Sequence, residues 1–204
     1  GILEVMNLME IFEVEPTEFL AREFPYPVFT HLKGADLYRP SSGGGKYNRD
    51  EFHENPSLYQ SLFTPYTKHA DILMNGVYWD ESVPRLFERN QVAEPDFRIT
   101  TIADITDDKN GSVPINLGDA TIIDPVYGVD KKTLQKTEPY LPTSIDVMAV
   151  GNLPNELPRD ASRFFGEQLI KHILPDLSGS GSPIIERATM VRKGVISPAF
   201  EYLK

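Results

Sequence analysis

The sequence predicts an α/β protein organised around a parallel sheet. Three observations carry that expectation. Compact apolar runs recur at residues 72–74, 99–104 and 145–150. Each closes in a polar or Gly-containing loop, at Asn75-Gly76, at residues 104–110 and at Gly151-Asn152. Helix-patterned stretches lie between them. Short apolar strands alternating with helices bury both faces of a parallel sheet, and such sheets bind ligands beyond the carboxyl ends of their strands.

In chain order, Ile2, Val5, Met6 and Met9 repeat at helical spacing, and residues 11–14 read as a short buried strand ended by Glu15-Pro16. Residues 26–66 loosen, with Pro25, Pro27, Pro40 and the run Ser41-Ser42-Gly43-Gly44-Gly45, and read as an insertion or long loop with a short helix over 56–63. The three apolar runs follow, with a further extended piece over 120–123. Residues 84–91 and 158–174 are patterned as helices. The second places Ala161, Phe165, Leu169 and His172 or Ile173 on one face, with Pro158 suited to the first turn and Pro175 as a stop. Residues 178–182 read as a flexible connector before a last extended piece over 184–190. The chain opens at Gly1 in the middle of a helical pattern, without Met, so it is expected to be part of a longer protein.

Composition excludes several classes. The 204 residues suit one large domain or one with an appendage, and 40% hydrophobic with 25% charged residues supports a real core. A net charge of -10 argues against nucleic acid, whose phosphates demand excess Lys and Arg. There is no cysteine for a disulfide or thiolate metal site. No apolar run approaches the ~20 residues of a membrane helix, and with no signal-peptide pattern a cytoplasmic location is expected.

Three motifs fail on inspection. Gly43-Gly44-Gly45-Lys46 has Pro40 where a phosphate loop needs its leading Gly and Tyr47 where it needs a metal-binding hydroxyl. His31, His53, His69 and His172 have no ligand spacing, and Ser57 stands where a His53-Glu54 zinc motif needs its second His. The stretch 106–117 has Thr106 and Leu117 where a calcium loop needs its first Asp and closing Glu. No metal site is therefore expected.

Two features are more informative. Glu15, after the first strand, occupies the place of the acid that accepts from adenosine ribose hydroxyls in a dinucleotide fold, if Gly1 is the last Gly of the phosphate turn; on spacing alone a solvated acid fits equally well. Asp104, Asp107 and Asp108 bunch at one strand end, where a turn or helix cap is the commoner use and a carboxylate aimed at a cationic substrate group the functional one. Tyr78 and Trp79 offer rings to a nicotinamide, although aromatic core is the commoner use.

The stretch ending in DILMNGVYW at Trp79, then Pro84-Arg85-Leu86, IADITDDKNGS from Ile102 and NLPNELPRDASRFFG from Asn152, together resemble one family. It is that of the lysine-forming saccharopine dehydrogenases and the lysine-oxoglutarate reductase half of the bifunctional aminoadipic semialdehyde synthases. The opening GILEVMNLMEIFEVEPTEFL is also similar to that family's helix and second strand. The family shares its fold with alanine dehydrogenase and the transhydrogenase alpha subunit. The resemblance implies an incomplete Rossmann-like dinucleotide-binding domain over 1–150, lacking its first strand and most of the Gly-rich turn. Residues 151–204 would be a helix and extended segment returning to the substrate domain.

The resemblance further implies hydride transfer between a nicotinamide and the secondary amine joining lysine to 2-oxoglutarate. It matches Glu15, Tyr78, Ile105, Val150, Gly151, Asn152 and Leu153 to cofactor-binding positions, and Thr106, Asp107 and Asp108 to substrate-binding ones. NAD is the expected cofactor, with NADP left open. The family's Lys and His acid–base pair lies in its amino-terminal part, so no catalytic residue is assigned here. The implied partners are a small amino-acid substrate and that amino-terminal part, with room for an oligomer. Two departures stand out: Gly151 where the family usually has Asp, and Asp107 where it usually has Ala. They leave an alanine dehydrogenase-like enzyme, or a non-catalytic nucleotide-binding module, as alternatives.

Overall fold

The computed structural model describes residues 2–118, 120–177 and 181–203. Gly1 and residues 178–180, which bear on the phosphate turn and the connector, lie outside the described residues. The chain divides into two compact units, Gly1–Gly151 and Asn152–Lys204.

The first unit opens with helix α1 (Ile2–Leu8), strand β1 (Phe12–Glu13), helix α2 (Pro16–Ala21) and strand β2 (Val28–Phe29). β1 pairs only with β2, in parallel, as a separate two-stranded sheet. The expected buried strand is thus exposed, with Phe12 65% accessible, because two residues paired to one short neighbour cannot cover a side chain. Residues 26–66 are more ordered than their composition suggests. Helix α3 (Gly34–Leu37), strand β3 (Tyr38–Pro40), helix α4 (Arg49–Glu54) and strand β4 (Tyr59–Ser61) form a subassembly in which β3 and β4 pair antiparallel. Its aromatic rings hold it: Tyr38 stacks on Phe52 at 4.5 Å and Tyr59 meets Phe52 edge-on at 5.2 Å. Instead of a helix over 56–63, a short 3-10 turn (Pro56–Leu58) leads into β4, because Tyr38 and Ser61 pair across the ladder.

The main sheet has five strands: β5 (Ile72–Asn75), β6 (Thr101–Asp104), β7 (Val126–Asp130), β8 (Lys136–Thr137) and β9 (Ser144–Met148). Their order is β5-β6-β9-β7-β8. β5, β6 and β9 run parallel, with Leu73 beside Ile102 and Ile102 beside Val147. β7 and β8 run antiparallel, so the sheet is mixed. Gly128 in β7 is required by close approach, since a Cβ there would run into the Glu138 backbone carbonyl. The core gathers Ile99, Ile102, Val113, Ile115, Val129, Ile145 and Val147, all fully buried, each contributing roughly 1.5–3 kcal/mol relative to exposure. Burial alternates along β5: Leu73 and Asn75 are buried, whereas Ile72 and Met74 are exposed.

Two expected elements are replaced. Residues 120–123 form only a parallel bridge from Ala120 to Val150. Residues 84–91 are turns ending in a 3-10 helix (Arg89–Ala93), because a distant group claims the backbone: Leu86 N–H donates to the Ser112 carbonyl.

The second unit holds helices α5 (Leu153–Glu156), α6 (Pro158–His172), α7 (Leu174–Leu177) and α8 (Pro183–Ala188), then strands β10 (Val191–Arg192) and β11 (Val195–Ile196). α6 begins on Pro158, as Pro's missing N–H allows at a first turn. Its apolar residues Phe164, Phe165 and Ile170 are nevertheless about two-thirds exposed. The expected extended piece over 184–190 is largely helical, because the Ser182 hydroxyl accepts from Ile184 N–H and Pro183 opens the first turn. β10 and β11 form a hairpin around Lys193-Gly194, both at positive φ as a tight two-residue turn demands.

Candidate functional site at the carboxyl ends of the parallel strands

The parallel strands end side by side, and one buried polar network sets the loops that follow. Asn75 and Asp104 are register partners at the ends of β5 and β6, each at most 2% exposed. Asn75 Nδ2 donates to Asp104 Oδ1 at 2.7 Å and to Ser112 Oγ at 2.8 Å. Asn116 Nδ2 donates to Asp104 Oδ2 at 2.7 Å, and its Oδ1 accepts from Gly118 N–H at 2.7 Å and Tyr127 OH at 3.1 Å. Thr106 Oγ1 donates to the Val77 carbonyl at 2.7 Å, which ties the loop after β6 to the loop after β5. Burial pushes the Asp104 carboxyl above the usual carboxylate range, opposed by donation from Asn116, Asn75 and the Asp107 backbone N–H.

Around this network lie several of the residues singled out from the sequence. Tyr78, after β5, is 78% exposed, and Ile105, after β6, is 40% exposed. Thr106, Asp107 and Asp108 are half-buried, and Asp107 adopts a left-handed φ of 53°. The turn at Asp108 is closed through its backbone carbonyl, which accepts from Gly111 N–H at 2.8 Å. Val150 is buried, with its backbone in the bridge to Ala120, and Gly151 is half-buried. Asn152 and Leu153 open the second unit, Asn152 at a left-handed φ of 51°. Glu15 stands apart, exposed at the start of α2 after the small parallel pair. Its side chain makes no capping bond to that helix. Arg22, the nearest cation in sequence, pairs with Glu18 and lies over the Phe24 ring at 4.5 Å.

A cavity of about 240 Å³ opens beside Tyr78, lined by Leu32, Tyr38, Tyr47, Phe52 and Val77 among others. Residues 104–108 do not line it. Among the described residues no cluster of three or more His, Asp or Glu is placed to hold a metal, and no helix is long and apolar enough to cross a membrane. Sequence reasoning missed Ser112, Asn116 and Tyr127 entirely. A usable signal was present: amide side chains flanking an Asp at a strand end are the donors a buried carboxylate requires.

Comparison with known proteins finds relatives over most of the chain. The chain is 24% identical over 189 residues to the mitochondrial alpha-aminoadipic semialdehyde synthase of Mus musculus, covering 78% of this chain and 20% of that protein. The Bos taurus synthase gives 26% over 190 residues with the same coverage. The NAD(+), L-lysine-forming saccharopine dehydrogenase of Schizosaccharomyces pombe gives 28% over 141 residues, 64% of this chain and 36% of that enzyme. This chain is a relative of those oxidoreductases. It spans about a fifth of the length of the synthases it matches. No family model matches it.

Proposed function

We propose that this chain is the cofactor-side part of an NAD(P)-dependent oxidoreductase of the saccharopine dehydrogenase type, acting on the secondary amine that joins lysine to 2-oxoglutarate. The observation that carries the reading is the row of three parallel strand ends, two of which, those of β5 and β6, are locked by Asn75, Asp104 and Asn116. That is where an open α/β sheet takes its ligand. The residues present fit a dinucleotide. Exposed Tyr78 and Ile105 offer an apolar shelf to a flat ring, and exposed Glu15 offers an acceptor to ribose hydroxyls. A bound nicotinamide would supply the hydride chemistry. The chain's own part is to hold the loops after β5 and β6 rigid and to present Thr106, Asp107 and Asp108 to the substrate.

On this reading residues 1–150 form a dinucleotide-binding domain without its first strand and phosphate turn. Residues 151–204 belong to the substrate domain. The exposed Ile72 and Met74 on edge strand β5 support it, since they offer an apolar surface and an open ladder to a further strand. The acid–base groups then lie in the remainder of the enzyme, and this chain alone has no turnover. On the same reading its affinity for NAD is at best about millimolar, roughly -4 kcal/mol, because the backbone N–H groups that cradle a pyrophosphate belong to the remainder of the enzyme. Calorimetry with NAD on the isolated chain and assay of the full-length enzyme with lysine plus 2-oxoglutarate test this. Micromolar binding by the isolated chain would overturn the incomplete cofactor site. Full-length turnover of pyruvate and ammonia, or of neither substrate pair, would overturn the substrate class.

A further inference from the structure

We propose that Asp107 and Gly151 act as one coupled pair. The Asp107 carboxylate folds over the end of β9 into the space a side chain at 151 would fill, and there it binds the cationic nitrogen of the amino-acid substrate. This rests on the reading above and adds to it the residue that recognises the ammonium.

The geometry begins with the sheet. β6 and β9 are parallel neighbours, with Ala103 beside Met148, so the segments that leave them emerge together. The Asp107 N–H is held by the Asp104 carboxylate, which anchors its main chain to the buried network. Its left-handed φ of 53° is one that Asp tolerates better than most residues. A Cβ built on Gly151 would lie 2.7 Å from Asp107 Oδ2, closer than real Cβ contacts come. Gly151 is not among the glycines with positive φ, so its own backbone does not demand glycine. The neighbouring carboxylate occupies the space, and a side chain at 151 would have to displace it.

An anionic oxygen on the ligand side of two parallel strand ends suits a donor-rich cation, and an ammonium supplies up to three N–H groups to it. The two positions are also those at which the sequence departs from the family it resembles. The structure places them in contact, so the carboxylate of the loop after β6 reaches the edge and the glycine in the segment after β9 makes room for it.

The test has two arms. In the first, the chain is melted as wild type, Gly151→Ala, Asp107→Gly and the double variant. Gly151→Ala is expected to lower Tm by about 4 °C or more in the wild-type background and by less than about half of that beside Asp107→Gly. Equal losses in both backgrounds would overturn the coupling. In the second, full-length Asp107→Asn is assayed. KM for the amino substrate should rise about 10-fold or more with the NAD dissociation constant unchanged, and Asp107→Ala with Gly151→Asp should recover part of the loss. An unchanged KM in an enzyme active on lysine plus 2-oxoglutarate overturns the ammonium role while leaving the enzyme class standing. An enzyme inactive on that pair overturns the enzyme class and, with it, the ammonium role. The melting arm decides the coupling in either case.

Discussion

Removing the amide of Asn116 should unlock the strand edge, and the loss should depend on pH in a direction the structure dictates. Asn116 is fully buried and makes three side-chain bonds: it donates to Asp104 and accepts from Tyr127 OH and Gly118 N–H. In Asn116→Ala the charge-assisted bond is lost, at about 1.5–3 kcal/mol, and two buried donors lose their acceptor, so a total near 4 kcal/mol is expected when Asp104 is ionised. For a chain of this size that lowers Tm by roughly 8–16 °C. Asp104 already has a folded pKa above its unfolded one, raised chiefly by burial. Between those two values the folded state keeps a proton that the unfolded chain has released, so stability falls as pH rises through the window. Deleting a donor to the carboxylate raises the folded pKa further and widens that window upward. The penalty of Asn116→Ala should therefore be largest near pH 7 and shrink to about 2 kcal/mol near pH 4, where a protonated Asp104 no longer draws on the lost charge-assisted bond. Urea unfolding of both proteins at the two pH values measures it. An equal penalty at both would refute an ionised Asp104 at the hub.

Two further outcomes are expected in the full-length enzyme. Asp108→Asn should raise KM for the amino substrate about 10- to 150-fold, while Asp108→Ala leaves Tm unchanged, because the turn is closed by the backbone carbonyl of Asp108; kinetics and melting together decide whether the carboxylate faces substrate or stabilises the loop. Glu15→Ala should narrow the preference for NAD over NADP, since an acid there repels a 2′-phosphate and Arg22 is engaged by Glu18; an unchanged ratio of efficiencies would remove Glu15 as selector.

The parallel strands were legible because Ile72, Ile99, Ile102, Ile145 and Val147 lie in compact apolar runs with polar stops. The β7–β8 hairpin was not. β8 has only two residues, Lys136 and Thr137, with no apolar pattern, and β7 is fixed in the sheet by pairing Val129 with Ile145 of β9, a contact with no local signature. Residues 84–91 misled because local spacing of Leu86 and Phe87 suits a helix, whereas the Arg85 guanidinium reaches the carbonyls of Asn110 and Gly111 and holds the segment in turns. Asp104 was visible only as one acid among three. Its role as hub depends on β5–β6 register, which sets Asn75 beside it, and on a loop that returns Asn116, neither of which has a local signature.

The strand order also sets the sequence in which the sheet assembles. β7 and β9 pair Asp130 with Ser144, only 14 residues apart, and β5 meets β6 across 29, Ile72 with Thr101. β6 must find β9 across 45 residues, Thr101 with Asp146. Closing the longest of these loops costs about 1 kcal/mol more than the shortest, which favours β7 and β9, with the β8 hairpin between them, as nucleus. We predict that the seam between β6 and β9 zips last, and that pulse-labelled hydrogen exchange finds the amides of Tyr127 and Val129 protected before that of Asp146, which donates to the Thr100 carbonyl across the seam. That seam is where Asp107 meets Gly151, so the proposed substrate edge is complete only once the rest of the sheet has formed.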